Sequence, residues 1–255
     1  MFFTKKYKQL LKENNHILKI LTRLPVYEAQ RCIENNVDSF LIKNKMERMD
    51  ANREDLFDKS RCLFHLDRYR FACEYTEDKI VLDCASGTGY GADLMFHLGR
   101  AKEVYGIEVN AEACAYAKQT YSSDNVHFST GSILQLPFEN EKFDVFTSFE
   151  TIEHIENESK QLSEVKRVLK NGGLYILSTP NDWSSNTQNP FHVRTYTYES
   201  LTESIGHEFK ILRIYNQNSG TENRMENKNQ HRGFVKTTLE NHHLAECFVI
   251  VAQKI

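Results

Sequence analysis

The sequence predicts an α/β fold built on a doubly wound, mostly parallel sheet. Three observations predict it. From about residue 79 onward, short β-branched runs alternate with stretches of helical periodicity, the pattern of strands joined by crossover helices. A glycine-rich turn, Cys84 to Gly91, joins the first of these runs to the first helix. The chain of 255 residues is 40% hydrophobic and 26% charged, which excludes a collagen-like, low-complexity or wholly disordered protein.

The elements follow in order. Residues 4–24 read as one amphipathic helix, with Tyr7, Leu10, Leu11, Ile17, Leu18, Leu21 and Leu24 at helical spacing and Pro25 ending the run. Its six cations (Lys5, Lys6, Lys8, Lys12, Lys19 and Arg23) face the single acid Glu13. Such a helix can lie on anionic lipid, but packing of its stripe on its own domain is the reading adopted here. Residues 26–78 are polar, helical in pattern and without glycine, so residues 1–78 are expected to form an N-terminal helical segment acting as a lid. Strands are expected at Ile80–Cys84, Val104–Glu108, Val126–Ser129, Phe143–Phe149, Leu174–Thr179, Phe209–Tyr215 and Cys247–Ala252. Helices are expected at 90–99, 111–121 and 157–170. Residues 216–243, rich in Asn, Gln, Glu and His, read as a long polar loop within a domain spanning 79–255.

Charge and cysteine usage narrow the function classes. A formal net charge of -3 gives no sign of nucleic-acid wrapping. No apolar run approaches the length of a membrane span, and no secretory leader is expected from the first residues. The six cysteines form no C-x-x-C pair and read as free thiols of a reducing cytoplasm.

The turn from Asp83 to Gly91 carries chemistry. Its small residues let backbone approach a ligand, and a helix N-terminus follows. Asp83, at the strand end, would repel a pyrophosphate and suits an amine or a hydroxyl-bearing ligand. Glu108 ends the next strand, where a carboxylate can accept both hydroxyls of a ribose. The pattern Asp83-x-Ala85-x-Gly87-x-Gly89-x-Gly91 resembles the first motif of class I S-adenosylmethionine-dependent methyltransferases. Glu108 resembles their ribose-binding acid, and the stretches Gly131–Phe138, Glu164–Gly173 and Ser178–Asn181 are similar to their later motifs. Ala85 stands where glycine is common, and Ser132 where an Asp usually receives the adenine amine, so a hydroxyl or backbone group would substitute there.

The resemblance implies a Rossmann-like, mostly parallel seven-stranded sheet with an antiparallel last strand, and S-adenosylmethionine as cofactor. It implies Asp83, Ala85, Ser86, Gly87, Gly89, Tyr90, Glu108, Val109, Ser132, Ile133 and Phe149 as the cofactor's neighbours. It also implies Arg68, within Arg68-Tyr69-Arg70-Phe71, for the methionine carboxylate. Trp183 is a candidate lining of the acceptor pocket.

Glu150, Glu153 and His154 follow the fourth strand at i, i+3, i+4, a spacing that converges on one face of a helical turn. Their oxygen and imidazole ligands suit Mg, Mn, Zn or Fe, and His192 is a fourth candidate ligand. The Glu-x-x-Glu-His arrangement resembles the metal site of ubiquinone-biosynthesis O-methyltransferases and of small-RNA 3′-end 2′-O-methyltransferases. It also occurs in bacterial sugar and natural-product methyltransferases, with the histidine lining the acceptor pocket. Two roles therefore stand side by side: a divalent metal site, or His154 as a general base assisted by Glu153 and Glu150.

The expected function is methyl transfer to a hydroxyl of a small-molecule acceptor such as a sugar, phenol or secondary metabolite. RNA 2′-O-methylation is the alternative enzyme, disfavoured by the near-neutral charge and the lack of an RNA-binding module. A catalytically silent cofactor-binding protein is the alternative from another class. The oligomeric state is left open.

Overall fold

The computed structural model describes residues 49–53, 56–181, 191–220 and 232–255. The expected helix at 4–24, Cys32 and Trp183 lie outside them. The described elements are α1 (Lys59–Ala72), β1 (Ile80–Cys84), α2 (Tyr90–His97), β2 (Glu103–Glu108), α3 (Ala111–Tyr121), β3 (Val126–Thr130) and β4 (Phe143–Phe149). They continue through α4 (Glu158–Val168), β5 (Leu169–Pro180), α5 (Tyr198–Gly206), β6 (Phe209–Asn218), β7 (Gly233–Lys236) and β8 (Cys247–Lys254).

The strands form one sheet in the order β3-β2-β1-β4-β5-β8-β6-β7. Strands β3 through β5 pair in parallel, and β8 runs antiparallel to both β5 and β6, as the resemblance implied. The order reverses at β1, so the carboxyl ends of β1, β2 and β4 border a switch-point crevice.

Period-2 alternation divides the core into two layers. Val81, Val145, Ile176 and Val249 face one layer with α1, α2 and α3, while their neighbours Leu82, Phe146, Leu177 and Ile250 face the other with α4 and α5. Burial on both faces explains why these strands read as continuous apolar runs. Each fully buried aliphatic side chain contributes about 1.5–3 kcal/mol of transfer free energy. Asp58, Asn110 and Asn157 cap α1, α3 and α4 by accepting bonds from backbone amides of the first turn. Within α1, Tyr69, Phe71 and Ala72 share a core layer with Val81 and Val145. A Cβ added to Gly91 would meet the Tyr69 ring at 2.1 Å, so α2 starts directly against α1.

Two expectations need correction. Among the described residues the sheet has eight strands rather than seven. The stretch 216–243 is not a continuous loop: β6 runs on to Asn218, and β7 pairs with it antiparallel. The physical reason is internal satisfaction of polar groups. Gln217 is fully buried, accepting from Arg68 Nε at 2.7 Å and donating to the Phe64 carbonyl oxygen at 2.6 Å. Asn216 is likewise buried and accepts from Thr237 Oγ1 at 2.7 Å.

Candidate active site

The turn after β1 is held open by its backbone. Ala85, Gly87 and Gly89 all have positive φ (60°, 56° and 90°). At Gly89 a Cβ would sit 2.7 Å from Ala117 Cβ and 2.8 Å from the Phe128 ring, so only glycine fits against α3 and β3. At Gly87 a Cβ would meet nothing within 4 Å, which leaves the loop open to a ligand. The Gly87 amide donates to Glu108 Oε2 at 2.9 Å and the Asn110 amide to Glu108 Oε1 at 3.0 Å. Glu108, 4% exposed, therefore ties the glycine loop to the start of α3. A carboxylate oxygen has two lone pairs, so accepting from a backbone amide does not by itself exclude a ribose hydroxyl as a second donor. The Ser86 amide donates to the Ile107 carbonyl oxygen at 3.0 Å, seating the loop on the end of β2.

Asp83 is fully buried at the end of β1. It accepts from Thr147 Oγ1 at 2.7 Å and from the Tyr69 hydroxyl at 3.3 Å. Burial pushes its carboxyl up to about 7, against the opposing hydrogen bonds from Thr147 and Tyr69. Among the described residues no cation pairs with this buried carboxyl, which suits it to an incoming ammonium. Sequence reading missed Thr147 and Tyr69 as its partners, because the first lies on β4 and the second on α1, both distant in sequence from Asp83. The open cradle at Gly87, the acid at the β2 tip and this buried acid together fit an S-adenosyl cofactor.

The other expected neighbours are placed as follows. Val109, beside Glu108, is an exposed apolar side chain, whereas Ile133 is buried. Ser132 Oγ accepts from the Leu134 amide at 3.2 Å, which commits one of its lone pairs to the local turn. Tyr90 and Phe149 pack edge-on against the Tyr69 ring, with centroids 5.3 and 4.9 Å away. Arg68 is enclosed: its guanidinium lies over the Phe64 ring at 4.6 Å and 3.6 Å from Glu150 Oε1. Among the described residues, its two terminal nitrogens make no hydrogen bond.

The carboxylate–histidine cluster differs from expectation. β4 does not run into a helix. Glu150 has positive φ (49°), and only a short turn, Ile152–His154, follows. Helical convergence therefore fails for Glu150. Its Oε1 accepts from Ser178 Oγ at 3.1 Å and Cys247 Sγ at 3.2 Å and pairs with Arg68. Glu153, His154 and His192 do come together, with one ligand atom each within 4.8 Å of the others. Glu153 is 1% exposed. Its Oε2 accepts from Thr179 Oγ1 at 3.0 Å, and its Oε1, 3.9 Å from His154 Nε2, has no hydrogen-bond partner among the described residues. Burial first, and the neighbouring Glu150 second, push the Glu153 carboxyl well above the usual carboxylate range. An orphaned buried carboxylate oxygen beside two imidazoles fits a divalent cation as well as it fits a proton.

The His154 tautomer is set by its backbone contact. Nδ1 lies 2.8 Å from the Phe191 carbonyl oxygen, which can only accept, so Nδ1 carries the hydrogen and Nε2 presents a lone pair. The His192 ring packs edge-on at 4.8 Å between centroids. Burial, then His154, lower the His192 pKa and so favour its neutral imidazole. The loop carrying it is stapled to the turn: the amides of Val193 and Arg194 donate to the Glu153 carbonyl oxygen at 2.9 and 3.3 Å. Arg194 donates further to Glu158 Oε2 at 2.8 Å and to the Glu156 carbonyl oxygen at 2.7 Å. Sequence reading missed Arg194, whose only signal is its place two residues after His192.

Residues 82–177 match the family described as "Methyltransferase domain". A "Probable S-adenosylmethionine-dependent methyltransferase" of Mycolicibacterium smegmatis is 34% identical over 130 residues, covering 49% of this chain and 49% of the relative. A "Ubiquinone biosynthesis O-methyltransferase" of Glaesserella parasuis is 30% identical over 161 residues, covering 58% of this chain and 66% of the relative. The chain thus spans about half the length of the first of these curated relatives. Among solved structures, a "SAM-dependent methyltransferase, possible histamine N-methyltransferase" from Thermotoga maritima superposes with a TM-score of 0.61 at 18% identity. That match covers 79% of this chain and 94% of the other, and it shows the shared fold.

Proposed function

We infer that this chain, which carries a class I S-adenosylmethionine-dependent methyltransferase domain, methylates a hydroxyl of a small-molecule acceptor, with His154 receiving the proton. The observation that carries this reading is the His154 tautomer. The bond from Nδ1 to the Phe191 carbonyl leaves Nε2 as a bare base at the carboxyl edge of the sheet.

When bound, the cofactor supplies an electrophilic methyl on a sulfonium. Asp83, ionised, would hold its amine and Glu108 would accept from its ribose hydroxyls, while the backbone ties of Glu108 fix the loop. His154 Nε2 would accept the acceptor's hydroxyl proton, leaving the oxygen free to take the methyl group the cofactor would supply. Glu153, whose Oε1 lies 3.9 Å from Nε2, would stabilise the resulting imidazolium when its own carboxyl is ionised. Alignment of oxygen, methyl and sulfur supplies much of the acceleration.

Glu153, His154 and His192 would hold a divalent ion, which would acidify an acceptor hydroxyl and fix its oxygen. Glu150, which neighbours Glu153 and His192 electrostatically, is itself engaged by Ser178, Cys247 and Arg68. The relative from Glaesserella parasuis supports a hydroxyl acceptor, because it is described as an O-methyltransferase.

The test is a panel of sugars, phenols and other hydroxylated acceptors with methyl-labelled cofactor, run with and without EDTA. Labelled ether product supports the reading. Turnover that survives EDTA in metal-free protein assigns the proton to His154 alone and removes the metal. Bound cofactor with no product from any acceptor supports a silent cofactor-binding protein instead.

A further inference from the structure

Residues 49–53 lie against the cofactor loop, although they are far from it in sequence. Thr88, inside the glycine turn, is fully buried, and its Oγ1 donates to the Met49 carbonyl oxygen at 2.9 Å across 39 residues. The next residue reaches the opposite wall. Asp50 Oδ2 accepts from the Tyr116 hydroxyl at 2.9 Å and also from the Tyr121 hydroxyl, both on α3. Asp50 Oδ1 accepts from the Asn52 amide at 2.9 Å, and the Arg53 amide donates to the Asp50 carbonyl oxygen at 3.0 Å, closing the segment into a turn. Met49, Asp50 and Ala51 are all buried.

The two walls so joined are the ones between which the adenosine of the cofactor would lie. One is the glycine turn after β1, and the other is α3, which begins just past Glu108. Glu108 makes one tie between them, through the Gly87 and Asn110 amides. The Met49 carbonyl oxygen, bonded by Thr88, and the Asp50 carboxylate, bonded by Tyr116 and Tyr121, make a second, independent tie. Thr88 sits between two residues of positive φ, a backbone that has many alternatives when unconstrained, so a bond at Thr88 selects the conformation that presents the Gly87 amide.

We propose that Thr88 and Asp50 are positioning residues of a strap, residues 49–53, whose docking sets the spacing of the cofactor walls and is thermodynamically linked to cofactor binding. The proposal rests on the methyltransferase reading above. Linkage is reciprocal: if the docked strap favours the cofactor, the cofactor must favour the docked strap by the same factor.

The experiment uses the full chain and S-adenosylhomocysteine, with dissociation constants from titration calorimetry and amide hydrogen exchange of residues 49–53. Thr88→Val, which loses the hydroxyl but keeps the shape, is expected to weaken binding by about tenfold. Thr88→Ser is expected to restore most of that loss. Asp50→Ala is expected to weaken binding similarly, and Tyr116→Phe provides a milder break of the same tie if Asp50→Ala does not fold. In the unmodified chain the ligand is expected to slow exchange of the 49–53 amides, and in Thr88→Val to slow it much less. Unchanged affinity in Thr88→Val and Tyr116→Phe, or exchange at 49–53 that ignores the ligand, overturns the strap while leaving the methyltransferase reading intact. Failure of the unmodified chain to bind at millimolar ligand overturns both.

Discussion

The two halves of the crevice are built differently. In the half we assign to the cofactor, the candidate binding groups run from Asp83 to Glu108; backbone amides hold Glu108 and the turn (Gly87 and Asn110 on Glu108, Ser86 on Ile107), while Asp83 is held by the Thr147 and Tyr69 side chains. In the acceptor half, the groups are titratable side chains gathered from distant segments. His154 is oriented by the carbonyl of Phe191, 37 residues away, and Glu150 meets Cys247 across 97 residues. The first half presents fixed dipoles that a local sequence pattern can encode. The second is assembled by tertiary packing, and its protonation states respond to their surroundings.

The comparison can be broken by separating chemistry from binding. The largest effect is expected from His154→Ala, which should lower turnover of the acceptor found in the panel by about 10²–10⁴ with S-adenosylhomocysteine affinity unchanged; equal loss of both would erase the distinction between halves. Glu108→Ala should do the reverse, weakening cofactor binding by about a hundredfold in calorimetry, because a charge-assisted bond set and the tie to Gly87 are lost together. Normal affinity in that variant would remove Glu108 from the cofactor site. Arg194→Ala should cut turnover by about tenfold through release of the His192 loop, with increased exchange of the Val193 amide and intact cofactor affinity, and Arg194→Lys should recover part of it.

Two smaller effects sharpen the cofactor half. Asp83 holds its proton up to about pH 7 in the folded chain, against 3.8 for an unperturbed group. The folded state therefore binds more protons than the unfolded state through that window. The stability this contributes is fully present below about pH 4 and is lost as pH rises through about 7. Chemical denaturation across pH should show the slope, and Asp83→Asn should flatten it. Cofactor affinity should move oppositely, rising with pH to about 7 and then levelling, because the ammonium pairs with the ionised carboxylate. The smallest effect is at Ala85, which carries a Cβ at φ 60°. Ala85→Gly should relieve about 1 kcal/mol and raise Tm by about 2–4 °C.

Legibility followed the same division. β1, β4 and α3 lie where the pattern put them, because burial on both faces, or on one stripe, leaves a periodic trace. α5 was not anticipated, although Thr197 and Ser200 form a capping box at its start. β7 has only four residues between polar stretches, too short for a pattern. Asn216, Gln217 and Asn218 read as loop because a polar residue is taken as exposed, and here each is buried. The i, i+3, i+4 spacing reads Glu150, Glu153 and His154 as one helical face, but Glu150 ends β4 with a positive φ and bonds Ser178 and Cys247. No spacing rule encodes that turn.

The position of β8 bears on how the chain acquires its shape. β8 is made after every other strand, yet it lies between β5 and β6. Strands β1 to β5 can pair with one another while the ribosome is still at work, and with them the glycine turn and its acids. β6 and β7 have no neighbour in that partial sheet until β8 inserts. A nascent chain stalled before Cys247 would therefore expose the β5 edge and lack the partner that Cys247 provides to Glu150.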